Sequence, residues 1–170
     1  YYRVGGWLPN GPPGVEYCDI MGAQHEIPLM VSAYQKGIRS YDVDKAYEAV
    51  KKTLTTQGTA LSSGGIVGNR HLDVYLKYGF VPYGEKSHHN VFGTTYEGPT
   101  SNTLEYAFDD WNAAQFAKAL GYEEDYDYFT RRAYNYKNVF DSETKYVRPK
   151  YSDGTWMPDF EPINKDEHST

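Results

Sequence analysis

The chain has 170 residues, a formal net charge of -6 and 24% charged side chains, the size of one soluble domain. Its seventeen basic residues are scattered among twenty-three acidic ones with no clustered basic face, which excludes a phosphate-backbone binder, and no apolar run nears the ~20 residues of a bilayer span. Cys18 is the single cysteine, so an internal disulfide and a cysteine-based zinc cluster are excluded; the anomaly is tyrosine, 18 against 7 Phe and 3 Trp, a ring that buries like Phe with a hydroxyl that needs a partner.

Residues 1–19 carry the run Gly5-Gly6-Trp7-Leu8-Pro9-Asn10-Gly11-Pro12-Pro13-Gly14 and read as loop. Ile20, Ala23, Ile27, Met30 and Tyr34 then recur at helical spacing up to a stop at Gly37. Pro28 inside that pattern predicts a kink or a shortened helix starting nearer Ile27. Asp42 caps a second helix with Val43, Ala46, Tyr47, Val50 and Leu54 on one face, ending near Gly58. Thr59–Asn69 reads as loop, His71–Tyr78 as a short helix closed by Gly79, and Phe80–Ser101 as a long irregular connection.

The next helix is predicted to open at Asn102, bury Leu104, Ala107, Phe108, Trp111 and Ala114, and end at Gly121. Tyr122, Tyr126, Phe129, Ala133, Tyr136 and Phe140 predict a following helix, and the two form an antiparallel hairpin. Tyr146-Val147-Arg148 and Trp156, separated by Asp153-Gly154, predict a short β-hairpin. No strict repeat is present. Tyr1 in place of Met, the lack of a leader and the polar end Asp166-Glu167-His168-Ser169-Thr170 read as an internal piece of a longer chain.

Chemistry-bearing residues concentrate on the predicted Asn102 helix. Asn102-x-x-Glu105 has the form of a capping box, which gives Glu105 a local explanation. Asp109 and Asp110 lie too deep for capping, and like charges one turn apart oppose a helix unless something offsets them, so both are candidates for a site. His25 stands at the start of the second predicted element, where an ordinary hydrogen-bonded histidine is the plainer reading. Trp7 is a staple over the core or a platform for a sugar ring. Arg148 points outward from a strand or forms a fork on a carboxylate. No phosphate loop, G-x-S-x-G or H-E-x-x-H occurs.

Seven strings in order carry a resemblance: Gly5-Gly6-Trp7-Leu8-Pro9, Met21-Gly22-Ala23-Gln24-His25 running to Ala33-Tyr34-Gln35-Lys36-Gly37-Ile38, Tyr78-Gly79-Phe80-Val81-Pro82, Ser101 to Trp111 (SNTLEYAFDDW), Ala117-Lys118-Ala119-Leu120-Gly121, Tyr136-Lys137-Asn138-Val139-Phe140-Asp141, and Asp153-Gly154-Thr155-Trp156. Together they resemble the central catalytic domain of the α-mannosidases of glycoside hydrolase family 92, over nearly the whole chain.

The resemblance implies a mainly α fold. Residues 1–170 would be part of an (α/α)6 toroid built from antiparallel helical hairpins, with a β-sandwich domain and the rest of the toroid outside the segment. It implies calcium (Ca2+) dependence and inverting exo-hydrolysis of terminal α-linked mannose, α-1,2 above all, on a mannose-containing glycan. It also implies a periplasmic or secreted address.

The family's Thr-Glu-Gly-Asn string, with its general acid, is expected beyond Thr170, as are the general base and most metal ligands. The catalytic carboxylates are therefore unassigned within this chain, and the segment alone is expected to be inactive. Asn10-Gly11-Pro12-Pro13-Gly14 stands where the family has an aromatic. Glu105, Asp109 and Asp110, followed by Trp7, His25 and Arg148, are the pocket candidates. The rival reading is a non-catalytic helical carbohydrate-binding or interaction module.

Overall fold

A computed structural model describes residues 2–9, 24–60, 66–85 and 98–162. The calls on Asn10–Gly14, Ile20, Ala23 and His88-His89 lie outside them. In chain order the elements are α1 (Tyr2–Gly5), α2 (Glu26–Gln35), α3 (Val43–Thr55), β1 (Thr59–Ala60), β2 (Ile66–Val67), α4 (Leu72–Tyr78), α5 (Pro99–Leu120) and α6 (Glu123–Ala133), then a 3-10 helix over Tyr134–Val139.

Local chemistry sets most of these boundaries. Pro28 sits in the first turn of α2, where its missing N–H costs nothing, so the helix starts at Glu26 rather than kinking. The Asp42 carboxylate accepts the Lys45 N–H at 3.0 Å and caps α3. Gly79 ends α4 and Gly121 ends α5, each with φ in the left-handed region (+73° and +82°) that costs a residue with a Cβ. At the latter, Gly121 N–H donates to Lys118 O and Tyr122 N–H to Ala117 O, tying off the last carbonyls of α5 before α6 begins.

Several expectations are corrected, the first being residues 1–19, read as loop, in which Tyr2–Gly5 forms the one-turn helix α1. Helix α5 opens at Pro99, not Asn102: Gly98 precedes it in the left-handed region and proline occupies the first helical position, where its fixed φ suits a helix start. Asn102 and Glu105 are therefore inside the helix, and no capping box forms. The stripe called buried on α5 is partly exposed, Phe108 at 48% and Trp111 at 51%, whereas Thr103, Tyr106, Asp109, Asp110, Ala113 and Phe116 on the opposite side are buried. Helix α6 tightens into the 3-10 turn at Tyr134, leaving Tyr136 and Phe140 exposed. Part of the predicted Thr59–Asn69 loop is extended, with Thr59 opposite Val67 and Ala60 opposite Ile66 in an antiparallel pair.

The expected C-terminal β-hairpin reduces to two single antiparallel bridges, Phe140 with Val147 and Lys150 with Trp156. The Asp153-Gly154 turn does form, with Gly154 at φ +87° and Asp153 Oδ1 accepting the Thr155 N–H at 2.9 Å.

The core has two parts. Ile27, Val31, Tyr47, Val50, Leu54, Phe116 and Phe129 bring α2, α3, α5 and α6 together, while Leu72, Val74, Tyr75, Val81 and Tyr106 join α4 to the first half of α5. Buried tyrosines find polar partners for their hydroxyls: Tyr47 donates to Asp125 at 2.7 Å and Tyr75 to Asp110 at 2.9 Å. Part of the tyrosine excess is thus packing with a polar tip satisfied. The segment is mainly helical, and no described helix is long and apolar enough to cross a membrane.

Candidate functional site on helix α5

Helix α5 carries Asp109 and Asp110 side by side at mid-length, both fully buried. Successive helical positions diverge by about 100° (one residue of a 3.6-residue turn), so the two carboxyls meet different neighbours. Asp110 turns to α4 and α6. Its Oδ2 accepts from Arg132 Nε at 3.1 Å and from the Tyr75 hydroxyl at 2.9 Å, while Arg132 Nη2 stands 2.8 Å from Oδ1. The same guanidinium donates to Leu54 O at 2.8 Å and to the Tyr128 hydroxyl at 3.2 Å. Burial pushes the Asp110 carboxyl up to about 7, against the pull of Arg132 and of the Tyr75 hydroxyl.

Asp109 turns to α2 and has no such cation. Its Oδ2 accepts the Gln24 backbone N–H at 3.0 Å, and its Oδ1 has no donor among the described residues. Burial pushes this carboxyl well above the ordinary range; the Gln24 N–H opposes the shift, and the nearby charges of Glu26, Asp110 and Glu105 reinforce it. Glu26, on the first turn of α2, is likewise driven up by burial, to about 7, with Oε1 buried and unpartnered. Gln24 links this corner to the β2–α4 turn by donating from Nε2 to Gly68 O at 3.4 Å. Next to Gly68, Asn69 is buried with neither side-chain amide atom partnered among the described residues.

The rim of the corner is wetter. His25 Nε2 lies 3.7 Å from Glu105 Oε2, and both side chains are more than a third exposed. Trp7 is buried with the Lys52 ammonium 4.5 Å above its ring. It crosses Gly68 so closely that a Cβ there would stand 2.7 Å from the indole, in a backbone conformation (φ +71°) that itself favours glycine. Trp7 therefore packs as a staple at the edge of this corner.

Arg148 lies elsewhere and meets a carboxylate with one nitrogen rather than a two-pronged fork: Nη1 donates to Asp141 Oδ2 at 3.0 Å, and Nη2 donates to the backbone carbonyl Met157 O. The Asp141 carboxylate sits below its usual range, because it accepts the Glu143 backbone N–H, the Arg148 guanidinium and the Thr144 hydroxyl.

The structure thus gathers Glu105, Asp109, His25 and, at its edge, Trp7 into one corner, and separates Asp110 and Arg148 from it. Sequence reading missed Glu26 and Asn69 as members. An acid in a first helical turn is fully explained by the helix dipole, so nothing local marked Glu26 as buried. Two buried carboxyls held toward their neutral form, with Gln24 bonded to one of them and its amide oxygen unpartnered among the described residues, can both donate and accept hydrogen bonds. Such a set matches hydroxyl groups and repels anions. Among the described residues no group of three or more His, Cys, Asp or Glu side chains is disposed to hold a metal ion.

Comparison with known proteins follows the same lines. The chain is 27% identical over 168 residues to an uncharacterized secreted glycosidase of Arthroderma benhamiae, covering 91% of this chain and 21% of the relative. Its fold matches a family GH92 inverting mannosidase of Bacteroides thetaiotaomicron with a TM-score of 0.78 and 31% identity, over 94% of this chain and 20% of the other. It also matches a GH92 α-mannosidase of the same organism solved with mannoimidazole, with a TM-score of 0.68 and 34% identity, over 85% of this chain and 16% of that one. The chain spans about a fifth of the length of these relatives. The family description "Glycosyl hydrolase family 92 catalytic domain" matches residues 1–170 from end to end, and the chain belongs to that family.

Proposed function

We propose that this chain is a section of the helical toroid of a secreted or periplasmic exo-α-mannosidase that releases terminal α-linked mannose, α-1,2-linked above all, with inversion at the anomeric carbon. The observation that carries the reading is the end-to-end family match, supported by 31% identity to an inverting mannosidase across 94% of the chain. Inversion requires a general acid at the leaving oxygen and a general base on water, with the carboxyls roughly 6.5–9.5 Å apart. The proposal puts both, and the calcium ligands, outside residues 1–170. The segment by itself is then inactive.

Within the segment, Glu105 and His25 are exposed enough to meet sugar hydroxyls at the rim. Asp109, Glu26 and Asn69 form the polar wall behind them. Asp110 has a positioning role: its ion pair with Arg132 fixes α5 against α6, and so fixes the angle at which Asp109 faces α2.

The test is mannose release by the full-length protein from α-1,2-, α-1,3- and α-1,6-linked mannobiose, with the first-formed anomer read by NMR. Release of β-mannose, fastest from the α-1,2 substrate, is the expected result. First-formed α-mannose would overturn the inverting mechanism. Glycan binding without turnover would replace the enzyme by a carbohydrate-binding module.

A further inference from the structure

The corner between the start of α2 and the middle of α5 holds two layers of polar groups. In the inner layer Asp109 is fully buried and spends one carboxyl oxygen on the Gln24 backbone N–H. Its Oδ1 and the side-chain Oε1 of the equally buried Gln24 have no donor among the described residues. In the outer layer His25 and Glu105 face each other at 3.7 Å, both open to solvent. The chain itself couples the layers. His25 follows Gln24, and Glu105 stands one helical turn before Asp109 on the same face of α5. The bond from Gln24 to Asp109, 85 residues apart in sequence, therefore sets how far His25 stands from Glu105.

The outer pair is too long for a hydrogen bond, whose N···O distance is about 2.7–3.2 Å, and an exposed ion pair at that separation adds little to stability. Its two members offer unlike chemistry: a carboxylate that accepts, and an imidazole nitrogen that donates or accepts according to its proton. Hydroxyls on adjacent ring carbons are each donor and acceptor, so one satisfies the carboxylate while its neighbour satisfies the imidazole. The unpartnered Asp109 and Gln24 oxygens stand behind as further acceptors.

We infer that His25 and Glu105 form a two-point clamp for a vicinal diol of the glycan, with Asp109 as the positioning residue that fixes its span. The inference rests on the proposed mannosidase reading, which supplies the sugar, and goes beyond it in giving each residue its own hydroxyl and in naming the bond that spaces them.

The experiment measures, by calorimetry on the full-length protein, binding of a thio-linked and so non-hydrolysable α-1,2-mannobioside and of its monodeoxy analogues. Glu105→Gln and His25→Ala should each weaken binding of the parent by about threefold to tenfold, the scale of one hydrogen bond, with Tm near wild type. The decisive readout is the pairing. Each variant should cost nothing against the one analogue that lacks the hydroxyl its residue holds, and the two analogues so identified should lack hydroxyls on adjacent carbons of one ring. Asp109→Ala should weaken the parent and lose both pairings, whereas Asp109→Asn, which keeps an acceptor for the Gln24 N–H, should retain them. A merely structural Asp109 would lower Tm in the alanine variant and leave both pairings intact, which overturns its positioning role. Unchanged affinity in both rim variants would leave His25 and Glu105 an ordinary surface ion pair and overturn the clamp, as would pairings that fall on one hydroxyl or on non-adjacent carbons. A wild type that binds no mannobioside overturns the proposed function along with the clamp, whereas binding without any pairing overturns the clamp alone.

Discussion

The two carboxyls at the middle of α5 are neighbours in sequence and opposites in environment. Asp110 faces a guanidinium and a phenol, and its arginine reaches on to the Leu54 carbonyl in the last turn of α3. Asp109 faces one backbone N–H and three other acids. Equal burial therefore has two meanings. On the α4–α6 side an ion pair stabilises helix packing. On the α2 side an acid is held toward its neutral form, where it can act as a hydrogen-bond donor as well as an acceptor.

The sharpest way to break this contrast is to remove the cation. Arg132→Met should cost about 3–5 kcal/mol of stability, because it strands a buried carboxyl and leaves Leu54 O without its donor. Thermal unfolding of the full-length protein measures it, and a loss under 1 kcal/mol would mean that the pair does not hold α5 to α6.

Paired amide substitutions come next. Asp110→Asn should cost about 1.5–3 kcal/mol through its charge-assisted bonds, and Asp109→Asn no more than about 1 kcal/mol, since an amide keeps an acceptor for the Gln24 N–H. Equal losses would erase the distinction.

The pH dependence is smaller and carries a definite sign. Burial raises the Glu26 carboxyl from its ordinary 4.5 to about 7 in the folded state, so the folded state binds the extra proton between those values. Its stabilising effect is complete below about 4.5 and is lost as pH rises through 7; Asp109 and Asp110, shifted in the same direction by burial, add to it. A Tm profile from pH 4.5 to 8 should fall with rising pH, and Glu26→Gln should flatten it. An unchanged slope in that variant would place Glu26 in contact with water and leave the profile to Asp109 and Asp110. The smallest effect is at the rim: Glu105→Gln should leave stability within about 0.5 kcal/mol, because the His25 pair is exposed and long at 3.7 Å. A raised KM with unchanged Tm would assign Glu105 to hydroxyl binding.

Much of the fold was legible because its boundaries are local. The Asp42 cap, Pro28 in a first turn, and Gly79 and Gly121 as stops each act through their own backbone, and each element they bound is present. The start of α5 was legible too, since Gly98-Pro99 is itself a start signal, but Asn102-x-x-Glu105 offered a competing one. Of the site, the acids of α5, His25 and Trp7 were visible as residue types. Glu26 and Asn69 were not, because only their neighbours make them buried.

What the sequence determined by itself is the four long helices α2, α3, α5 and α6 with the short α4, the Gly121 hairpin and the family strings that run through them, but not α1, which falls in residues read as loop. Which side of α5 faces inward was decided only in the tertiary structure. Apolar residues lie on both sides of that helix, so periodicity could not choose between them. The choice falls to Arg132, Tyr75 and the Gln24 N–H, which make it less costly to bury two aspartates than to leave their partners unsatisfied.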